Sequence, residues 1–105
     1  MNNMMHIEAQ DYWVKVVEML QQNWALIEDT ESGTVIIYFI DDHGGVWDEI
    51  EYKSEGEAKS ALEINYFKHY DSDPKLKSFL RVPSPPYHKT THPNGPIYSS
   101  GQFWI

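Results

Sequence analysis

The apolar residues near the start of the chain recur at the spacing of a helix. The positions i, i+3, i+4, i+7 and i+11 form one stripe, which consists of Trp13, Val16, Val17, Leu20 and Trp24. Asn23 is a residue type that often ends helices. The pattern therefore predicts an amphipathic helix over residues 9–22.

Three shorter apolar runs follow, and they are rich in the β-branched and aromatic residues that favour strands. The runs are Trp24–Asp29, Thr34–Ile40 and Val46–Lys53. The connections between them are short enough for hairpins, and Gly33 supplies a turn residue to the first. Because the middle run is the most apolar, we expect it to be the central strand of a three-stranded antiparallel meander.

Two helix-start signals lie beyond the strands. Ser54 and Glu57 have the spacing of a capping box, which predicts a helix from Glu55 to about His69. Asp73 followed by proline predicts a second helix over Pro74–Leu80, with the aspartate as its N-cap.

The composition changes near residue 82. Five of the six prolines lie beyond this point, so regular structure is disfavoured there. Several aromatic residues in the same stretch are too apolar for a free tail. We therefore predict a flexible N-terminus over residues 1–8, a domain over 9–80, and an ordered proline-rich arm over 81–105 packed on that domain.

The resulting order is α-β-β-β-α-α followed by the arm. It predicts an α+β fold, a two-layer sandwich of a three-stranded antiparallel meander with helices on one face and an extended C-terminal arm. The second face of such a sheet has no helix to cover it. The arm, a second copy of the chain in a homodimer, or a different partner is expected to cover it.

The charge is strongly acidic and unevenly spread. The net charge is −8, with 14 acids and 3 bases in residues 1–63 against 2 acids and 5 bases in residues 64–105. This balance makes nucleic acid an unfavourable partner, since phosphate binding rests on lysine and arginine. Without cysteine, a secretory signal or an apolar run of membrane-spanning length, a cytoplasmic protein that does not bind membranes is expected.

The predicted order α-β-β-β-α resembles that of the double-stranded-RNA-binding domain, whose second helix begins with the pattern Lys-Lys-x-Ala-Lys. In the corresponding stretch, Ala58, Lys59 and Ala61 fit the pattern, but Glu55 and Gly56 replace the two lysines that meet phosphate. The resemblance therefore implies a similar topology without RNA binding.

The stretch HPNGPIYSSGQFW, residues 92–104, resembles the C-termini of small bacterial proteins of the kind carried on integron gene cassettes. This second resemblance covers about an eighth of the chain. It implies a bacterial accessory protein and no particular chemistry.

The densest polar loop is a weak metal candidate. Asp41, Asp42 and His43 provide two carboxylates and an imidazole, which are ligands for divalent cations. The alternative is an ordinary hairpin loop that begins with aspartate and bends at Gly44 and Gly45. The spacing matches no established metal motif, so no metal and no cofactor are expected.

Binding candidates come from the third strand and from the arm. Glu49 and Glu51 share one face of the strand, and the alternation of the strand places Trp47 beside them. Such a pair could do acid–base work or could form the solvated face of an edge strand. The arm adds further aromatic candidates: Tyr87, Tyr98, Phe103 and Trp104.

The leading hypothesis is a non-catalytic interaction module whose acidic surface binds a basic protein. Residues 28–57 hold ten acids against one base, Lys53, and such a surface steers association with a basic partner. A toxin-neutralising protein or a DNA mimic has this character. The alternative hypothesis is a small-molecule-binding domain with an aromatic groove between the arm and the sheet. Nothing in the sequence requires an enzyme.

Overall fold

The computed structural model describes residues 4–17, 21–41, 44–83 and 86–89. Its strands are β1 Met4–Met5, β2 Trp13–Val17, β3 Gln21–Asp29, β4 Val35–Ile40, β5 Gly45–Tyr52, β6 Lys68–His69 and β7 Tyr87–Lys89. Its helices are α1 Glu55–Ile64 and α2 Pro74–Phe79, with a 3₁₀ turn at Tyr70–Ser72. Neither of these helices is long and apolar enough to cross a membrane.

Seven strands of the described chain form one sheet in the order β1-β7-β5-β4-β3-β2-β6. Every neighbouring pair is antiparallel except β5 and β7, which are parallel. The predicted three-stranded meander is therefore wrong as a fold. Its strands survive as β3, β4 and β5, which form the centre of a larger mixed sheet.

The helix predicted over residues 9–22 is also wrong. Trp13–Val17 is strand β2, which pairs with β3 in antiparallel register, and Asn23 is a buried residue within β3. Trp13 is buried on one face of the sheet and Val14 on the other. Because this strand buries residues on both faces, its apolar positions do not alternate, and their spacing imitates a helical stripe.

Strand β5 contains a bulge that reverses part of the predicted pattern. Phe39 lies opposite Asp48, whereas Ile40 lies opposite Val46, so Trp47 is an additional residue. The bulge places Trp47 on the same face as Ile50, while Glu49 and Glu51 point to the opposite face. The expected grouping of Trp47 with the two glutamates is therefore wrong.

Helix α1 begins as predicted and ends earlier than predicted. The Ser54 side chain accepts a hydrogen bond from the backbone N–H of Glu57 at 3.2 Å. At the other end, Tyr66 has a φ of 71°, and the N–H of Phe67 donates to the carbonyl of Leu62 at 2.9 Å. This geometry is a Schellman motif, and it ends the helix five residues before His69.

The sheet lies between two layers. Helix α1 covers one face, which we call the α1 face, through Ala58 and Leu62. The opposite face, which we call the α2 face, is covered by residues 7–12 and by the segment from Tyr70 to Val82 that includes α2. The prediction of helices on one face is therefore wrong, and a large part of the supposedly uncovered face is buried.

Candidate functional site

A cavity of about 360 Å³ lies on the α2 face, between residues 7–12 and the segment that follows β6. Its lining is mostly apolar or aromatic and includes Ile7, Ala9, Tyr12, Tyr70, Val82 and Tyr87. The remaining wall is formed by Gln10, Asp71 and Pro83. We call this space the aromatic cavity, and its size and lining are typical of small-molecule sites.

The walls of the aromatic cavity are held by hydrogen bonds from tyrosine. The hydroxyl of Tyr12 donates to the carbonyl of Pro83 at 2.9 Å and also contacts the hydroxyl of Tyr87. Since the single proton of Tyr12 is used on Pro83, the proton between the two hydroxyls must come from Tyr87. On the opposite wall, the hydroxyl of Tyr70 donates to the carbonyl of Leu80 at 2.6 Å.

Burial favours the neutral form of Tyr12. Desolvation, followed by the interaction with Tyr87, raises the pKa of the Tyr12 phenol well above its ordinary value. Tyr12 therefore keeps its proton, and its hydrogen bond to Pro83, at neutral pH.

Trp24 packs against two of the tyrosines that line the aromatic cavity. It is fully buried in β3, and its ring makes T-shaped contacts with the rings of Tyr12 and Tyr70, with 5.7 and 5.3 Å between the centroids. These edge-to-face contacts set the orientation of two cavity walls from a single strand position.

A second candidate site is an acidic surface farther along the α2 face. In one cross-strand row Glu28, Ile36 and Glu51 lie side by side, and in the next row Tyr38 lies beside Glu49. We call these five residues the acidic face. Its centre is apolar and half-buried, and its rim is made of carboxylates.

Among the residues that the structure describes, no basic side chain forms a salt bridge with a carboxylate of the acidic face, and Lys89 lines the same surface pocket as Glu49. Glu28 accepts hydrogen bonds from the backbone N–H groups of Glu8 and Ala9, at 2.7 and 2.8 Å. Thr34 donates its hydroxyl to Glu51. These bonds hold the carboxylates of Glu28 and Glu51 in place, and none of them is a salt bridge.

The electrostatic effect of the acidic face is visible at Tyr38. Burial raises the pKa of this phenol, and the negative charges of Glu49 and Glu28 raise it further. Glutamates on β3 and β5 thus place negative charge near the half-buried ring of Tyr38.

The predicted site residues are divided between different places. Trp47 is 5% exposed and packs against Phe39 on the α1 face, so it is part of the core. Tyr87 lies in the wall of the aromatic cavity, and Glu49 and Glu51 belong to the acidic face. The other predicted aromatics, Tyr98, Phe103 and Trp104, lie outside the described residues.

The candidate metal loop is described only in part, since Asp42 and His43 lie outside the described residues. Asp41 accepts a hydrogen bond from the backbone N–H of Gly45 at 2.8 Å, and Gly44 has a φ of 83°. Asp41 thus has the role of a hairpin residue. Within the described ranges no three potential ligand side chains come together to hold a metal ion.

One polar cluster was missed by the sequence reasoning. Asp11 Oδ1 lies 2.5 Å from Nε2 of His69, and the hydroxyl of Ser72 lies 2.5 Å from Nδ1 of the same ring. The order of groups is that of a hydrolase triad with the two ring nitrogens exchanged. However, Ser72 lies in the 3₁₀ turn that begins beside His69, and neither residue lines the aromatic cavity.

The cluster around His69 instead ties the 3₁₀ turn to the segment before β2. The backbone N–H of Tyr70 also donates to the carbonyl of Tyr12 at 3.0 Å, which reinforces the same attachment. Sequence offered no signal for this cluster, because Asp11 and His69 are 58 positions apart. Of the residues that line the aromatic cavity, Tyr87 was among the predicted binding candidates, whereas residues 7–12 were assigned to a flexible end and a helix.

Comparison with protein-family models, with curated proteins and with solved structures finds no significant match to this chain.

Proposed function

We propose that this protein is a non-catalytic interaction module that binds a basic protein through its acidic face. The observation that supports the proposal is the arrangement of Glu28, Glu49 and Glu51 around Ile36 and Tyr38 on one surface. Protein interfaces commonly combine an apolar and aromatic centre with a polar rim.

The charge of the acidic face favours a partner with exposed lysine or arginine. Like charges that lie close together on one face of a sheet repel one another, so the grouping of Glu28, Glu49 and Glu51 has a cost in stability. A basic partner would offset that cost and would be drawn in by the field of a chain of net charge −8. Toxin-neutralising proteins and DNA mimics are two classes that use such surfaces, and a cytoplasmic location fits the absence of cysteine.

The proposal is tested with two variants of equal charge. Glu49→Gln/Glu51→Gln removes two charges from the acidic face. The control Glu55→Gln/Glu57→Gln removes two charges from the first turn of α1. The wild type and both variants are immobilised, and the proteins that each one captures from a bacterial lysate are identified and compared at low and high salt.

We expect the wild type and the control to capture the same basic protein at low salt. The variant of the acidic face should lose most of that capture, and salt should weaken it further, because screening reduces attraction between exposed charges. Capture of one protein equally by both variants, or capture independent of salt, would show that another surface is responsible.

A further inference from the structure

We propose that the aromatic cavity binds a small organic ammonium ion, that is, an amine or quaternary ammonium with a compact apolar body. This site uses different residues from the acidic face and goes beyond the function proposed above. Its volume of about 360 Å³ is at the lower end of ligand pockets, which span roughly 300–1,000 Å³. A molecule with a single ring is therefore the appropriate size.

The hydrogen-bonding capacity of the cavity favours a donor. The tyrosines that line it have already given their protons, to Pro83, to Leu80 and to the neighbouring hydroxyl of Tyr12. Their hydroxyl oxygens can still accept hydrogen bonds. Among the lining side chains that the structure describes, only the amide of Gln10 can still donate. An anion would find few donors here, whereas an ammonium group can donate to the tyrosine oxygens.

The charge of the residues that line the cavity also favours a cationic ligand. Of the nine described residues that line the cavity, none is basic and one, Asp71, is acidic. Asp71 already attracts an ammonium group, since Nζ of Lys77 lies 3.6 Å from its Oδ1. Both side chains of this pair are about half exposed, so the pair is weak and a ligand can replace Lys77 at the carboxylate.

The aromatic lining supplies the second part of the recognition. Three tyrosine rings and the side chains of Ile7 and Val82 offer an apolar environment for the body of the ligand. Tyrosine ring faces also attract cations, and this attraction increases when water is excluded. The cavity thus combines apolar side chains, tyrosine rings and a carboxylate, and this combination suits a hydrophobic cation.

The proposal is tested with three probes that share a phenyl ring and differ in charge: 2-phenylethylamine, 2-phenylethanol and 3-phenylpropanoate. Each is titrated into the isotope-labelled full chain near neutral pH, and binding is followed by amide NMR shifts. We expect the amine to bind roughly tenfold more tightly than the alcohol, and the carboxylate to bind most weakly. The shifts should be largest at Tyr12, Tyr70 and Val82.

Three variants locate the charge preference. Asp71→Asn should weaken the binding of the amine severalfold and leave that of the alcohol unchanged, whereas Lys77→Gln should strengthen the binding of the amine severalfold by freeing the carboxylate. The control Glu63→Gln removes an exposed carboxylate from α1, on the other side of the sheet, and should change nothing. The amide spectrum of each variant also reports that it is folded.

Several outcomes would overturn the proposal. Equal affinity for the three probes, or tighter binding of the carboxylate, would show that the cavity does not select cations. An unchanged amine affinity in Asp71→Asn would remove the proposed anchor. No shift in the cavity residues at about 10 mM of any probe, a concentration that detects millimolar affinity, would exclude the site.

Discussion

Tyr12 is the middle member of a buried hydrogen-bond chain that runs from Tyr87 to the carbonyl of Pro83, and this position determines the effect of removing each hydroxyl. In Tyr87→Phe, Tyr12 can still donate to the carbonyl of Pro83, so a single hydrogen bond is lost at a cost of about 0.5–1.5 kcal/mol. In Tyr12→Phe, the buried carbonyl and the hydroxyl of Tyr87 both lose their partner. We expect that variant to lose more, about 1–3 kcal/mol.

Urea unfolding of the two variants measures this difference in the free energy of unfolding. Since both substitutions remove one oxygen atom from a phenol, the change in volume is matched. A larger loss for Tyr87→Phe than for Tyr12→Phe would show that the proton order in the chain is different.

The same residue makes stability depend on pH in the alkaline range. Burial, followed by the hydrogen bond with Tyr87, raises the pKa of Tyr12 in the folded protein. The unfolded chain has an ordinary tyrosine pKa of about 10. The folded state therefore holds the proton more tightly, so the contribution of Tyr12 is complete below about pH 10 and is lost as the pH rises further.

We therefore expect the free energy of unfolding of the wild type to fall above about pH 10, and that of Tyr12→Phe to fall less steeply. Unfolding in urea at a series of pH values gives the two curves, and their difference isolates Tyr12 from the other groups that titrate there. Parallel curves for the two proteins would contradict the assignment.

The C-terminus of α1 shows how a single residue sets the length of an element. Tyr66 occupies the left-handed position of the Schellman motif, where glycine is usual, and its side chain is 77% exposed. The left-handed conformation costs a residue with a Cβ atom about 1–2 kcal/mol, and glycine largely avoids this cost.

We expect Tyr66→Gly to be more stable than Tyr66→Ala by about 1 kcal/mol. Both variants remove the ring, together with its contact to Nζ of Lys15 at 5.6 Å, so the comparison isolates the backbone. Thermal unfolding of the two variants measures the difference. If alanine were as stable as glycine, the left-handed conformation would not be a source of strain.

Sequence was informative about elements that depend on local signals. The caps at Ser54 and Asp73 were predicted and are confirmed, because each cap is a contact within three residues. The strands β4 and β5 were found for a similar reason, since a short run of β-branched and aromatic residues can be recognised locally. The length of α1 was missed because tyrosine is an uncommon residue at the position that ends it.

The features that were predicted wrongly depend on contacts across the sheet. Trp13 and Val14 are buried on opposite faces because both faces are covered, and no local pattern shows that second layer. Trp47 was assigned to the wrong face because one additional residue in β5 reverses the alternation before it. The acidic face was predicted in part, through Glu49 and Glu51, whereas Glu28 joins them only through strand pairing.

At the scale of the whole molecule, glutamates of the acidic face and glutamates of α1 lie in different electrostatic environments. Glu55 lies in the first turn of α1, where it favours the helix dipole and pairs with Lys59 at 2.6 Å. The carboxylates of Glu49 and Glu51 share a surface with Glu28 and form no salt bridge with a described residue. The first setting stabilises the fold and the second opposes it.

We therefore expect Glu49→Gln/Glu51→Gln to raise the free energy of unfolding at low salt by about a few tenths of a kcal/mol, because it removes two of the like charges that lie close together on one face of the sheet. Glu55→Gln/Glu57→Gln should lower it by a similar amount. Both changes should shrink as salt screens the charges. Urea unfolding at two ionic strengths measures all four values.

The stability results also separate a binding role from a structural one. Beyond Val46 the outer edge of β5 has no partner strand among the described residues, and carboxylates on such a strand can serve to prevent edge-to-edge aggregation. If that were their only role, the acidic-face variant would aggregate and still capture the basic partner. A monomeric variant that is more stable than the wild type but captures no partner would instead identify Glu49 and Glu51 as residues kept for binding at the expense of stability.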